Sequence, residues 1–247
     1  IAEEVTVRRV TEDLKHRRPD IVIYVNGIAL VVLELKKISV SVADAIRQNR
    51  RNQEDGEILQ FFTTTQLLLA GNESEGVKYG VIKTPEEFWL KWKEPTGDFY
   101  DPKTGKGRKY VPKYTQADYP NEMMRSLLQM LDPERLLEFV HDCIIFDGGI
   151  KKAARPNQYF ALKEAKERVL NKKSGIIWHS QGSGKSLTMI WLAQWIKEQG
   201  NDARIVIVTD RDELDKQIEN GFKDTGEQPF RVKSGSQLIN TLNSHEH

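Results

Sequence analysis

The chain has 247 residues, enough for one large or two ordinary domains that each bury a core. Its 37 Lys and Arg residues nearly balance its 36 Asp and Glu residues, so net charge alone does not indicate a nucleic-acid-binding protein. A single cysteine excludes an intramolecular disulfide framework and a cysteine-rich zinc site. Because no apolar run reaches about 18 residues and no signal peptide opens the chain, we expect a cytoplasmic protein without a membrane contact.

Three regions follow one another in chain order. Strand-like apolar runs dominate residues 1–95, and a Gly-, Pro- and charge-rich linker leads into a helical connector over residues 96–150. Residues 151–247 alternate between helix and strand patterns, which predicts a parallel sheet. Within the linker, the basic and aromatic stretch 103–113 suits a surface loop better than a DNA-contacting arm.

The first region contains a predicted β-hairpin, because two apolar runs flank the Asn-Gly dipeptide at 26–27. A two-residue loop there would send Asp20 and Glu34 to opposite faces, since side chains alternate along a strand. A three-residue loop with a glycine bulge would instead pair Tyr24 with Ile28. We predict that bulged register, which makes the two acids diagonal neighbours on one face.

Two carboxylates at the open end of this hairpin form a hard-oxygen site suited to Mg²⁺. A cation there can polarise a phosphodiester and lower the pKa of a bound water. Lys36 lies on the same face, two residues after Glu34, and can offset the charge gathering on the phosphorus. The spacing alone also arises by chance in a strand end with solvated charges, so the flanking Arg-Pro and β-branched runs carry the interpretation.

Residues 17–37, RRPDIVIYVNGIALVVLELKK, closely resemble the PD-(D/E)xK nuclease motif of type I restriction enzyme R subunits. The resemblance implies that Asp20 and Glu34 are metal ligands, with the carbonyl of Leu35 as a third, and that Lys36 is catalytic. It also implies a nuclease core built on a mixed sheet flanked by helices.

A helix is predicted from Ser41 onwards, and its arginines would meet DNA phosphates; they are Arg47, Arg50 and Arg51. Gln48 and Asn52 are four residues apart and share a face. Related nucleases carry a Gln-x₃-Tyr motif at this place. The resemblance therefore implies a positioning role for Gln48 in catalysis, whereas Asn52 replaces the tyrosine and its role is doubtful. A solvated helix face is the alternative.

The last region contains a phosphate-binding loop between a predicted buried strand at 175–178 and a helix. Glycines and the helix start let backbone N–H groups surround the phosphates of ATP, while Lys185 reaches the outer phosphates and Ser186 ligates Mg²⁺. The string WHSQGSGKS resembles the loop of R subunits, although His179 stands where the general pattern has glycine. The predicted nucleotide-binding residues of the loop are Gln181, Gly182, Ser183, Gly184, Lys185 and Ser186.

Two segments beside the loop resemble motifs of superfamily 2 helicases. Upstream, Gln158 resembles the glutamine that reads adenine, and Arg155 would stack near the base; a capped helix start is the alternative. Downstream, a second predicted strand at 204–210 runs into a helix and resembles motif Ia, which contacts the DNA backbone. Its candidates, set against a plain strand-to-helix turn, are Thr209, Asp210, Arg211 and Gln217.

The resemblance implies the N-terminal part of a type I site-specific deoxyribonuclease R subunit, with an incomplete RecA-like lobe after the connector. Such a subunit couples ATP-dependent translocation to Mg²⁺-dependent cleavage of double-stranded DNA, in complex with methylation (M) and specificity (S) subunits. No Walker B strand follows Asp210, so we expect weak ATP binding without useful hydrolysis and a longer parent protein. Another helicase–nuclease fusion and a nucleotide-gated DNA-binding module with an inactive nuclease remain as alternatives.

Overall fold

A computed structural model describes residues 1–10, 15–95, 98–100, 107–200 and 203–244, with backbone alone at 98–100 and 107–109. The strands are β1 (Ala2–Glu3), β2 (Val7–Arg8), β3 (His16–Arg17), β4 (Ile21–Val25), β5 (Ile28–Leu35), β6 (Leu67–Asn72), β7 (Gly76–Gly80), β8 (Leu90–Lys91), β9 (Asp98–Tyr100), β10 (Gly107–Lys109), β11 (Ile144–Asp147) and β12 (Ile150–Ala153). The helices are α1 (Val42–Arg51), α2 (Glu122–Leu131), α3 (Pro133–Asp142), α4 (Pro156–Leu170), α5 (Lys185–Gln199), α6 (Asp212–Asp224) and α7 (Gly235–Asn243). None of these helices combines the length and hydropathy needed to span a lipid bilayer.

A six-stranded mixed sheet in the order β1-β4-β5-β6-β7-β8 organises the first region. Only the β5–β6 pair is parallel within this sheet, and α1 forms the crossover that parallel neighbours require. The remaining pairs are antiparallel. The predicted α/β class with a mixed sheet flanked by helices is therefore confirmed.

Alternation along the central strands sends apolar side chains to both faces of the sheet, where separate layers cover them. On one face, Val32 of β5 and Leu68 of β6 pack against Ile46 of α1. On the other face, Leu33 and Leu69 join a core with α2, α3 and α4, which extends to Trp191 of α5. Glu34 follows the alternation onto the α1 face.

This second core crosses the predicted boundaries near residues 95 and 150. Tyr79 of β7 packs with Trp92 and Phe139 as edge-to-face aromatic neighbours, and its hydroxyl donates to the carbonyl oxygen of Ala154 at 2.8 Å. The division into 1–95, 96–150 and 151–247 stays a prediction, since one continuous core joins parts of all three.

The hairpin turn differs from the predicted three-residue loop, so that register prediction is wrong. The loop has two residues, Asn26 and Gly27, whose φ angles of 50° and 81° suit a type I′ turn. The bulge lies further along, at Leu30, which has no opposite residue in β4. Because that extra residue shifts the ladder by one, Asp20 and Glu34 still share a face, opposite one another rather than diagonal.

The strands predicted at 175–178 and 204–210 are also wrong, because neither segment pairs with another strand among the described residues. Their apolar side chains lie open to solvent, with exposed fractions of 92% for Trp178 and 86% for Val208. Without a neighbouring strand to hydrogen-bond the backbone, a β-branched run has no ladder to join. The β11–β12 hairpin is antiparallel, so no parallel pair occurs in the described part of residues 151–247.

The basic stretch 103–113 falls partly outside the described residues. Lys113 at its end forms an ion pair with Asp132, the residue that caps the start of α3. That contact ties the end of the stretch to the helical connector.

Candidate functional site

The pairing of β4 with β5 brings the first two predicted site residues together. Ile21 pairs with Leu33, and continuing that register places Asp20 opposite Glu34. Asp20 Oδ2 accepts a hydrogen bond from the backbone N–H of Leu35 at 2.7 Å, and its carboxyl also hydrogen-bonds that of Glu34. Asp20 keeps partial exposure, whereas Glu34 is fully buried.

The pKa of Glu34 is raised to about 8, mainly by burial and secondly by the neighbouring Asp20 carboxyl. The positive charges of Lys36 and Arg51 act in the opposite direction. Two carboxyls that meet in a low-dielectric place repel one another once both are ionised. They supply oxygen atoms only, which is the ligand set that Mg²⁺ and Mn²⁺ accept. The donor chemistry of this pair therefore fits a divalent cation.

Helix α1 supplies the polar partners of Glu34. Ser41 caps the helix by accepting a hydrogen bond from the N–H of Ala43. The apolar face of α1 packs on β5 and β6, and this packing turns Gln48 toward the Glu34 carboxylate. Gln48 Nε2 donates to Glu34 Oε2 at 2.6 Å, and Gln48 Oε1 accepts from Lys36 Nζ. The structure thus joins Asp20, Glu34, Lys36 and Gln48 in one hydrogen-bonded group.

Asn52 completes this group, although its role was doubtful from the sequence. Its Nδ2 donates to Glu34 Oε1 at 3.3 Å, and its side chain is buried. The four-residue spacing from Gln48 was the signal in the sequence, since residues at i and i+4 lie on the same face of a helix.

The three predicted DNA-binding arginines of α1 lie in different surroundings. Arg47 pairs with Asp44 at 2.9 Å and with Glu86 at 3.0 Å, so its charge is already matched by acids. Arg50 and Arg51 are exposed, and Arg51 lies close enough to Glu34 to lower its pKa.

A second basic group near α1 was missed by sequence reasoning. Glu57 is buried and accepts two hydrogen bonds of 2.6 Å from Arg17, while Arg9 approaches it to 3.1 Å. The Arg17 guanidinium holds the pKa of Glu57 below its usual range. Glu57 lies 40 residues after Arg17, so no local spacing could have indicated this group of three residues.

The phosphate-binding loop has the backbone shape that its glycines permit. Gly182 and Gly184 have φ angles of 74° and 82°, and α5 begins at the next residue, Lys185. Lys185 Nζ donates to the backbone carbonyl oxygens of His179 at 3.1 Å and Ser180 at 2.9 Å. Ser183 is buried, Ser186 is half-buried and Gln181 is exposed.

Gln158 links the start of α4 to this loop. Its Oε1 accepts from the N–H of Arg155 at 2.8 Å, and its Nε2 donates to the carbonyl oxygen of Gly184 at 2.8 Å. The capped helix start considered from the sequence is therefore present, with the loop contact added to it. Arg155 Nη1 donates to the carbonyl oxygen of Gly182 at 3.4 Å.

A cavity of 360 Å³ lies against the loop and is lined by Arg155, Asn157, Trp178 and residues 179–183. A groove of 780 Å³ shares several of these residues and runs along α4 to the end of β8. Thr209 is half-buried, Asp210 and Arg211 are exposed just before α6, and Gln217 is exposed within that helix. The structure thus gathers the upstream candidates at the loop and leaves the downstream ones on the surface.

Two protein-family models match this chain, one over the Asp20–Glu34 region and one over the phosphate-binding loop. Residues 1–87 match the family described as the type I restriction enzyme R protein N terminus, and residues 157–247 match the SWI2/SNF2 ATPase family. The chain is related to the R subunits of type I restriction enzymes. This outcome confirms the resemblance first indicated by residues 17–37 and by the phosphate-binding loop.

Curated R-subunit relatives match along nearly the whole chain. A putative type I restriction enzyme MjaIXP endonuclease subunit from Methanocaldococcus jannaschii is 29% identical over 254 residues, covering 96% of this chain and 24% of the relative. The type I restriction enzyme HindI endonuclease subunit from Haemophilus influenzae is 30% identical over 251 residues, covering 93% and 22%. The SauCOLORF180P endonuclease subunit from Staphylococcus aureus is 24% identical, covering 97% and 24%. The chain thus spans about a quarter of the length of these relatives.

Proposed function

We propose that this chain is the nuclease and nucleotide-binding portion of an ATP-dependent type I restriction endonuclease that cleaves double-stranded DNA. The observation that supports the proposal most is the convergence of Asp20, Glu34, Lys36 and Gln48 in one hydrogen-bonded group. In this proposal Asp20 and Glu34 hold Mg²⁺, with the carbonyl of Leu35 as a third ligand. A divalent cation bound there supplies a Lewis acid and a water of lowered pKa for phosphodiester hydrolysis.

The side chains around the carboxylates would have three further roles: charge compensation, positioning of Lys36 and binding of DNA phosphates. Lys36 brings a positive charge two residues from Glu34, where it offsets the negative charge that develops on the attacked phosphate. Gln48 accepts from the Lys36 ammonium and thereby fixes its direction. Arg50 and Arg51 are exposed on the same helix and would hold backbone phosphates, with less help from Arg47 because two acids already neutralise it.

The second part of the proposal is a site for ATP at the loop, within a RecA-like lobe. Lys185 would exchange the carbonyl oxygens of His179 and Ser180 for the outer phosphates, and Ser186 would ligate Mg²⁺. The 360 Å³ cavity beside Arg155 offers space for the nucleotide. The role of Gln158 in reading adenine stays a prediction, since both ends of its amide are already bonded within the protein.

The names of the relatives, endonuclease subunits of type I restriction enzymes, support a proposal for the wider assembly. We propose methylation and specificity subunits as partners, a cytoplasmic location, and translocation along DNA driven by a longer protein. Thr209, Arg211 and Gln217 would contact the DNA backbone during that movement, a role that the exposure of Arg211 and Gln217 permits.

Nicking of supercoiled plasmid in Mg²⁺ tests the nuclease proposal. Glu34→Ala and Lys36→Ala should each slow nicking by about 10²-fold or more, because each removes several kcal/mol of transition-state stabilisation. Lys37→Ala is the matched control, since Lys37 is the exposed neighbour of Lys36 and should leave the rate unchanged. Nicking by the Glu34 and Lys36 variants at the parent rate would rule out this site as the nuclease centre.

A further inference from the structure

Glu34 is held at both of its carboxylate oxygens by side-chain amides, one from Gln48 in α1 and one from Asn52, which caps the C-terminal end of that helix. Gln48 Nε2 donates to Oε2 at 2.6 Å, and Asn52 Nδ2 donates to Oε1 at 3.3 Å. We propose that Asn52 is a positioning residue that fixes the direction of the Glu34 carboxylate toward a divalent cation shared with Asp20. This inference rests on the proposed nuclease function and gives a role to Asn52, which stands in place of the tyrosine of the Gln-x₃-Tyr motif.

The backbone around Asn52 is fixed, so its side chain has a defined origin. Its N–H donates to the carbonyl oxygen of Gln48 at 3.0 Å, and its own carbonyl oxygen accepts from the N–H of Ile58 at 3.2 Å. The helix that precedes it packs through Val42 and Ile46 against the sheet that carries Glu34. A buried amide on a fixed backbone has few rotamers open to it, which is the condition for holding a neighbouring group in one orientation.

The two amides together fix the orientation of the Glu34 carboxylate. Each oxygen gives one lone-pair direction to an N–H and keeps another, so the plane of the carboxylate is set by two contacts on opposite oxygens. Without Asn52, Oε1 would lose its amide donor, and the plane of the carboxylate could tilt about the Gln48 contact at Oε2. Groups that orient a ligand in this way typically contribute about 10–100-fold to metal affinity.

Asn52 could instead serve only to satisfy a buried acceptor, and α1 contains a residue that separates the two roles. Asn49 is a buried asparagine of the same helix, and its Nδ2 donates at 3.0 Å to the carbonyl oxygen of Leu69 rather than to Glu34. Neither Asn49 Oδ1 nor Asn52 Oδ1 has a hydrogen-bond partner among the described residues. Truncation of either side chain therefore removes one buried amide donor, but only one truncation touches the carboxylate.

Isothermal titration of the 247-residue chain with Mn²⁺ tests the proposal without relying on cleavage. The signal to follow is the binding that Glu34→Ala abolishes. Asn52→Ala should weaken this binding about tenfold or more, whereas Asn49→Ala should leave it within about twofold of the parent. If Asn52→Ala does not fold, Asn52→Ser replaces it under the same criterion, because the shorter hydroxyl does not reach Glu34.

Three results would overturn the assignment. Parent-like Mn²⁺ affinity in the Asn52 variant would show that Gln48 alone orients Glu34. Equal weakening by Asn49→Ala would show that loosening of α1, rather than the contact with Glu34, causes the loss. A parent chain with no Glu34-dependent binding would overturn the metal site itself, and this failure is distinguishable because it occurs before any asparagine is changed.

Discussion

The β4–β5 hairpin and the apolar segments 175–178 and 204–210 have similar sequences but different structures. Residues 21–25 and 176–178 are both short apolar runs rich in isoleucine. The first run is hydrogen-bonded between β1 and β5, whereas the second pairs with no strand among the described residues. A strand therefore depends on its neighbours as much as on its own β-branched side chains.

The two candidate sites also differ in what their functional side chains are bonded to. At Glu34 the functional side chains are bonded to one another, through Gln48, Asn52 and Lys36. At the loop, Lys185 is bonded to carbonyl oxygens of its own loop, so a ligand must displace those contacts. The side chains of the first site thus hold one another in place, whereas those of the second would change partners if a phosphate were bound.

The largest expected difference between the two regions concerns their apolar side chains. Leu69→Ala, in the fully buried β6, should lower the free energy of unfolding by about 2–5 kcal/mol through lost burial and a cavity. Val208→Ala should change it by no more than about 0.5 kcal/mol, because Val208 is 86% exposed. Urea denaturation followed by circular dichroism measures both values. A comparable loss from Val208→Ala would mean that residues 204–210 are packed in solution and would break the comparison.

A smaller loss of stability is expected from a substitution where the phosphate-binding loop contacts α4. Gly184→Ala places a Cβ on a residue with φ of 82° and against the bonded Nε2 of Gln158. It should cost about 1–3 kcal/mol more than Gly226→Ala, which has a similar φ of 87° but open space around its Cβ. Thermal unfolding measures this difference, and a fluorescent ATP analogue should lose binding only in the Gly184 variant.

A second substitution sharpens this prediction. Gln158→Ala in the Gly184→Ala background removes the overlap and should recover part of the lost stability, leaving the strain of the positive φ. If the double variant is no more stable than the single one, the contact between Gln158 and the loop is not the cause of the loss.

The smallest expected effect is a dependence of stability on pH at the contact between β12 and the sheet. Lys151 Nζ donates to the carbonyl oxygen of Thr65 at 2.9 Å, and burial lowers the pKa of Lys151 to about 8. Between pH 8 and about 9.5 the unfolded chain holds a proton that the folded chain has lost, so stability should rise with pH by about 1–2 kcal/mol.

The Lys151→Met variant isolates this contribution from other titrating groups. Its stability, measured by urea denaturation across the same pH range, should lack the rise that the parent shows. An identical pH dependence in parent and variant would contradict a lowered pKa for Lys151.

The sequence predicted the shared face of Asp20 and Glu34 better than the hairpin that carries them. Asp20 and Glu34 lie on one face as expected, but the bulge is at Leu30 rather than at the turn. The place of the turn was readable because positive φ angles favour Asn and Gly, although its loop has two residues rather than the predicted three. The position of the bulge was not readable, because it depends on how β5 packs between β4 and β6, which are far apart in sequence.

Contacts between distant residues account for the other differences. Gln158 was recognised from its position before the loop, yet its bond to Gly184 depends on how α4 packs beside α5. The Glu57 group joins Arg9 and Arg17 to a residue 40 positions further along the chain than Arg17. Periodicity and spacing report on neighbours within one element, so they could indicate Asn52 beside Gln48 but not these long-range partners.

The continuous apolar core has a consequence for how the two sites communicate. Trp191 of α5, six residues after Lys185, is buried in the same core as Leu33 and Leu69 of the six-stranded sheet. Close-packed interiors have low compressibility, so a shift of α5 obliges α4 and the sheet to repack. We therefore expect a ligand-driven shift at the start of α5 to change the packing of the strands that carry Asp20 and Glu34.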